Sequence, residues 1–224
     1  MVQYNATKKE VSYKVVYYGP KSSGTTTNLK YIEQNSSYAR GNKLTSIATE
    51  RGKDLNFDFL SLNVGVIGGL KTNFQLFGVP GSEDYMPILK LILQNVDGII
   101  FVADSCDLDA SVQSITWLEA ALLEQNLQLN DIPLIVQWNK RDHEEAQDID
   151  ALQKQVNYMG APEISASAVS GDGVFDTFEV LADQLIEKNY QLVSRNEQEK
   201  PSEKFTPLID KIDKIEKLPS IEQS

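Results

Sequence analysis

The sequence has one cysteine, Cys106, and one histidine, His143, in 224 residues. A lone cysteine cannot close an internal disulfide, which fits a reducing cytoplasm and excludes a disulfide-stapled scaffold. So few soft ligands also exclude a histidine–cysteine metal centre. Positive charge is in deficit, with 21 Lys and Arg against 32 Asp and Glu, a net charge of -11. That balance argues against a nucleic-acid surface and against electrostatic attachment to anionic lipid. Long hydrophobic runs are missing too. The longest, such as DGIIFVA ending at Ala103, fall far below the ~18 residues that span a bilayer, so no membrane span is expected. The opening MVQYNATKKEVSYK lacks the apolar centre of a secretory signal.

What is present alternates between strand-length apolar runs and helical periodicity. Tyr13 to Tyr18 reads as a strand, Thr25 to Gln34 as a short helix, and Gly41 to Asp54 as a polar loop. Two long alternating runs meet at Gly68-Gly69, a hairpin signal, with a change of phase near Phe59 and Leu60 that predicts a bulge or bend there. Ile88 to Leu93 follows Pro87 as a helix, and GIIFVAD and IPLIVQW read as doubly buried strands. Helix faces are marked by Val112, Ile115, Leu118 and Leu122, by Leu152 and Val156, and by Val174, Phe178, Leu181 and Leu185. Trp117 and Trp138 fall in apolar patterns and are expected in or near the core. The prediction is an α/β fold, a mostly parallel sheet with an antiparallel hairpin and helices on both faces.

After Tyr190 the chain becomes charge-rich and contains three of its prolines. It reads as a solvated tail. Ile209, Ile212 and Ile215 leave open a short docking segment.

Three motifs carry chemistry. In YYGPKSSGTTTN, Gly19 and Gly24 are separated by four residues, as in the phosphate loop G-x-x-x-x-G-K-[ST], but Thr25 stands at the lysine position. A strand precedes it and a helix follows, the setting in which backbone N–H groups face an anion. The candidate phosphate contacts are Gly19, Lys21, Ser22, Ser23, Gly24, Thr25, Thr26 and Thr27. Thr26 falls where a magnesium-binding hydroxyl belongs, or it caps the helix. Next, NKRD follows the strand IPLIVQW, at the carboxyl end where α/β sheets bind ligands. Asp142 can accept from the N1–H and exocyclic amine of guanine, a donor pair that adenine lacks. Asn139 can bond the base edge, and the stem of Lys140 can cover the ring. Finally Ser165, Ala166 and Ser167 end the last strand as backbone donors for the guanine oxygen. His143, in the charged turn RDHEEAQD, is expected at the surface, as is the acidic run from Glu144 to Asp150.

Together these motifs resemble the Ras-like small GTPases. KVVYYGP, KLTSIATERGKDLNFDFL, LFGVPG, KLILQNVDGIIFVADS, NKRD and GVFDTF are similar to one branch, the MglA-type bacterial small GTPases, from about Val11 to Lys188. The resemblance implies a P-loop G domain over residues 10–190, with 191–224 as the tail, and an extra strand before the central sheet. It implies GTP and GDP as ligands with Mg2+, and a role in cell polarity or gliding-type motility. It further implies a roadblock-type activating partner, polar effectors and recruitment to a cell pole.

The departures from that pattern cluster. The places of a switch arginine and threonine hold Lys53 and Asp54. The residue two before Pro80, a threonine in this branch and an aspartate in wider relatives, is Gly78, and the water-positioning glutamine is Ser82. Lys53 and Ser82 are therefore the catalytic candidates in degenerate form, and Thr26 and Asp54 the candidate metal ligands. One charged hydrogen bond to phosphate is worth roughly 1.5–3 kcal/mol, so Thr25 should weaken binding without abolishing it. An arginine finger supplies ~10³–10⁵ in rate, so hydrolysis should suffer more. Lys21 either supplies the missing positive charge or is a solvated loop lysine. Two readings stand open, a slowly hydrolysing guanine-nucleotide switch and a pseudo-GTPase that does not cycle. An adenine-nucleotide enzyme is disfavoured by NKRD.

Overall fold

The computed structural model describes residues 3–5, 7–48 and 56–196. Eight strands form one sheet: β1 (Gln3–Asn5), β2 (Glu10–Pro20), β3 (Thr45–Ala48), β4 (Asn56–Ile67), β5 (Leu70–Gly81), β6 (Gly98–Asp104), β7 (Leu134–Asn139) and β8 (Glu163–Ser165). Among the described residues five α-helices accompany them: α1 (Thr25–Asn35), α2 (Met86–Ile92), α3 (Leu108–Leu123), α4 (Ile149–Val156) and α5 (Val174–Asn196). The sheet order is β3-β4-β5-β2-β6-β7-β8, with β1 antiparallel on β2. The β5-β2-β6-β7-β8 core is parallel, and β3 and β4 add an antiparallel edge. This is the expected architecture. Because parallel strands need crossovers, helices cover both faces and the central strands lose their polar alternation. All seven residues of β6 and all six of β7 are buried.

Alternate residues of β2 feed two cores. Tyr13, Val15 and Tyr17 pack with α1 and α5, while Val16 and Tyr18 pack with α2, α3 and α4. In the first core Phe74 stacks on Tyr13 at 5.1 Å and meets Phe178 edge-on at 5.2 Å. Trp138 is 1% exposed in the second core, and Trp117 is half-buried.

Three local expectations change. The stretch from Gly41 to Asp54 is not all loop, because Thr45–Ala48 forms β3 beside β4. Its four residues are all exposed, so no apolar alternation advertised it. The irregularity in β4 lies between Asn63 and Gly65, not at Phe59 and Leu60. Phe57 and Phe59 pack on Phe77 on one face while Asp58, Leu60, Leu62 and Val64 are buried on the other. Apolar residues on both faces imitate a change of phase where the register is continuous. The true irregularity is set by Gly65, at φ 85, whose N–H donates to Asn63 Oδ1 at 3.0 Å. Finally, α5 runs to Asn196, and Ile209, Ile212 and Ile215 lie outside the described residues. The hairpin holds as expected, with Gly68 at φ 56 and Gly69 at φ 79 making a turn that twists with the strands.

Burial has a pH consequence on β2. It raises the Tyr13 hydroxyl to about 12, a nearby Asp97 charge adding to the shift and a bond from Asn189 opposing it, and raises Tyr17 and Tyr18 further. Folded tyrosines with raised pKa values stabilise fully below the unfolded value near 10 and lose that contribution as pH climbs through the folded values. The melting temperature should therefore fall from about pH 10 to pH 12, with tyrosinate absorbance lagging that of the unfolded chain. A melting temperature flat across that range would contradict this account of the core.

Candidate functional site

The loops at the carboxyl ends of β2, β7 and β8 meet around one side chain. Asn139, 2% exposed at the end of β7, donates through Nδ2 to the Ser23 carbonyl at 2.6 Å. Its Oδ1 accepts from the Ala168 N–H at 2.8 Å. Asn139, expected to touch the base, uses one amide N–H and its oxygen to join the phosphate loop to the loop after β8.

Ser22 adopts φ 67 and Gly24 φ 106, after which α1 begins at Thr25. A Cβ on Gly24 would lie 2.2 Å from Asn139 Nδ2, so only glycine admits both the left-handed backbone and the amide bridge. Gly24 offers no side-chain cap, which leaves the first-turn N–H groups of α1 for a ligand. Lys21, Ser22, Gly24, Thr25, Thr26 and Thr27 line a cavity of about 570 Å³ together with Pro80, Ser82, Asp84 and Tyr85. Six of the eight phosphate-loop candidates and Ser82 thus share one cavity. Gly19 and Ser23 do not line it. Gly19 is pressed on the Val102 carbonyl, where a Cβ would lie 2.0 Å away, and Ser23 is fully buried. They shape the loop from behind. Thr25 is 7% exposed, whereas Lys21 is exposed at the rim.

At the base end Asp142 is exposed. A hydrogen bond with Ser167, helped by its own backbone N–H, holds its carboxyl below the usual carboxylate range. An ionised acceptor is what a guanine edge requires. Lys140, at φ 66, directs its ammonium to the buried Asp104 carboxylate at the end of β6. The expected triplet is partly displaced. Ser165 belongs to β8, the Ala166 N–H donates to the Trp138 carbonyl at 2.8 Å, and the Ser167 N–H donates to the Asp172 carbonyl at 2.9 Å. The N–H groups of Ala166 and Ser167 are committed to the fold, and this loop meets NKRD through the Ala166 carbonyl, which accepts from the Arg141 N–H at 3.0 Å, the Ser167 side chain and the Ala168 N–H.

The metal candidates divide. Asp54 lies outside the described residues, as does the catalytic candidate Lys53. Thr26 Oγ1 donates to Asp58 Oδ2 at 2.6 Å, and Ser46 Oγ donates to Asp58 Oδ1 at 2.6 Å. Asp58 is a site residue that the sequence pattern does not single out. It shares the inward face with Leu60, Leu62 and Val64, where a carboxylate at 8% exposure must find partners. It pairs with Gly78 across the β4–β5 ladder, and a Cβ on Gly78 would lie 3.3 Å from the Asp58 Cβ and 2.9 Å from Leu29 Cδ1. Gly78 leaves room for Asp58. A hydroxyl and a carboxylate are hard oxygen donors and fit magnesium. Among the described residues no group of three or more His, Cys, Asp or Glu gathers, so such an ion would draw most ligands from phosphate and water. His143 is exposed, as expected.

A phosphate loop opening a helix, with an asparagine–aspartate motif at the end of a parallel strand two places along the sheet, defines a P-loop G domain. The model of the ADP-ribosylation factor family matches residues 2–185, and the chain belongs to that family, in its MglA-type, Ras-like, guanine-nucleotide-binding branch. It is 43% identical over 180 residues to the mutual gliding-motility protein MglA of Myxococcus xanthus (strain DK1622), covering 80% of this chain and 92% of that one. It is 24% identical over 191 residues to human ADP-ribosylation factor-like protein 4A, covering 81% and 87%. Among the described residues no helix is long and apolar enough to cross a membrane.

Gly24→Ala should cost about 2–3 kcal/mol, combining left-handed strain with loss of the Asn139 bridge. Urea denaturation measures the loss, and an unchanged midpoint would contradict the bridge.

Proposed function

We propose that the protein binds GDP and GTP, hydrolyses GTP very slowly by itself, and acts in bacterial cell polarity or gliding-type motility by being bound by partners. The observation that carries this reading is the contrast between the two ends of one site. At the base end, the ionised Asp142 held by Ser167 supports guanine recognition. At the phosphate end, Thr25 and Ser82 line the cavity where the family pattern has a lysine and a glutamine. Serine is too short to orient a water as glutamine does, and threonine brings no charge.

In this reading backbone N–H groups between Lys21 and Thr27, other than that of Ser23, which donates to the Pro20 carbonyl at 3.0 Å, hold the phosphates, and the first turn of α1 faces their charge. Lys21, at the rim, is the nearest replacement for the missing lysine charge. Magnesium, when bound, neutralises phosphate charge. Thr26 and Asp58 would hold it, with Asp54 as a further candidate. The motility role rests on the name of the Myxococcus relative, and a roadblock-type activating protein, polar effectors and recruitment to a pole follow from the same branch resemblance. A second reading, an interaction module that keeps its nucleotide without cycling, draws on Gly78 and Ser82. A ligand shifts a conformational equilibrium only through contacts that differ between states, and these residues offer the third phosphate few.

The test is single-turnover GTP hydrolysis by the purified chain, beside GDP, GTP and ATP affinities with and without magnesium. Turnover should be very slow and guanine nucleotides preferred. Prompt turnover by the chain alone would sink the slow-hydrolysis reading, and preference for ATP would overturn the role of Asp142. Thr25→Lys should raise GTP affinity about ten- to a hundredfold by adding one charged hydrogen bond. Asp58→Asn should abolish the magnesium dependence of GDP affinity. If that dependence survives, Asp58 is not the holder.

A further inference from the structure

We infer that Gln137 is a positioning residue for nucleotide binding, a second amide link below Asn139 that fixes the phosphate-loop helix against the base-loop helix. Gln137 and Asn139 sit two residues apart on β7, so both point to the face covered by α1 and α5. Asn139 joins the two loops directly. One step deeper, Gln137 Nε2 donates to Asn28 Oδ1 on α1 and to Thr177 Oγ1 on α5, each at 3.0 Å. Asn28 Nδ2 in turn donates to the carbonyl of Gly24 at 3.0 Å, and the Thr177 hydroxyl donates to the carbonyl of Gly173. The chain of bonds therefore runs from the phosphate-loop glycine to the glycine that ends the base loop.

Its polarity is set from both ends. A carbonyl only accepts, so Gly24 turns the Asn28 amide nitrogen towards itself and leaves Oδ1 facing β7. Gly173 likewise takes the Thr177 proton and leaves that oxygen as an acceptor. The central side chain must then donate twice, which a primary amide does. Asn28, Gln137 and Thr177 are each 0% exposed. Among the described residues Gln137 Oε1 has no hydrogen-bond partner. A buried amide with an unmet acceptor is less favourable than an apolar side chain of the same shape, so packing alone does not account for glutamine here. A separate contact joins the same elements. Tyr31 of α1 lies over Gly171 of the base loop, where a Cβ would fall 1.9 Å from the ring. A nucleotide held at its base by one loop and at its phosphates by the other gains affinity only if the two are correctly spaced.

The inference rests on guanine-nucleotide binding at this site, and the test separates the two. GDP and inosine diphosphate affinities are measured for the unmodified chain, Gln137→Met, Thr177→Val and the double variant, with melting temperatures alongside. Gln137→Met should weaken GDP binding about tenfold, the fold-change worth roughly one buried hydrogen bond. The ratio of GDP to inosine diphosphate affinity should stay unchanged, because Asp142 is untouched. The double variant should fall short of the product of the single effects, since both cut one chain of bonds. GDP affinity equal to the unmodified chain in folded Gln137→Met, or effects that multiply, would reduce Gln137 to a core residue. Should the variants not fold, the Gln137 side-chain amide resonance of the unmodified chain must shift when GDP is added, and a resonance that stays still overturns the proposal. Failure of the unmodified chain to bind GDP overturns both readings. Binding that Gln137→Met leaves intact removes only this one.

Discussion

The Asn139 side chain is the bond on which the site depends. A single buried amide closes on the Ser23 carbonyl with its nitrogen and on the Ala168 N–H with its oxygen. Two loops far apart in sequence are thereby held at one separation. The constraint spreads outward. Gly24 must lack a Cβ to admit the amide, and its left-handed backbone leads straight into α1. The strand that delivers Asn139 is buried along its whole length, so the amide has no water to fall back on. Asp142 lies three residues further on and inherits its place from the same strand end.

The two ends of the site are built on different principles. The base end relies on side chains fixed by other side chains, Asp142 by Ser167 and Lys140 by Asp104. The phosphate end relies on backbone N–H groups and a helix terminus, which survive the loss of individual side chains. Threonine at position 25 can therefore coexist with an intact cradle. Asp58 illustrates a related economy of space. Gly78 withdraws its side chain, and a carboxylate from the neighbouring strand takes the room beside Thr26. A change that looks like loss along one strand is paired with a residue on the next.

Much of this was legible from pattern. Unbroken apolar runs announced β6 and β7, helical spacing announced the faces of α3 and α5, and Gly68-Gly69 announced the hairpin. These signals are local, set by burial on two faces or by backbone conformations that favour glycine. β3 escaped because an exposed edge strand carries no hydrophobic period. The β4 irregularity was misplaced because Phe57 and Phe59 belong to a second apolar face. Asp58 was passed over for a similar reason, as a polar letter inside an apolar strand has no meaning until its neighbours across the sheet are known.

The sequence by itself determined the alternating α/β order, the phosphate-loop glycine spacing and the guanine-type motif NKRD, because each is a short-range pattern with a direct physical cause. Only the tertiary structure decided which atoms those motifs spend on one another. It closed the Asn139 amide on two loops, tied the Ala168 N–H to that amide, and set Asp58 beside Thr26. It also joined Asn28, Gln137 and Thr177, residues from three elements that no spacing rule connects. Hydrogen-bond partners are chosen by the packing of distant strands and helices, and a linear pattern carries no record of that choice.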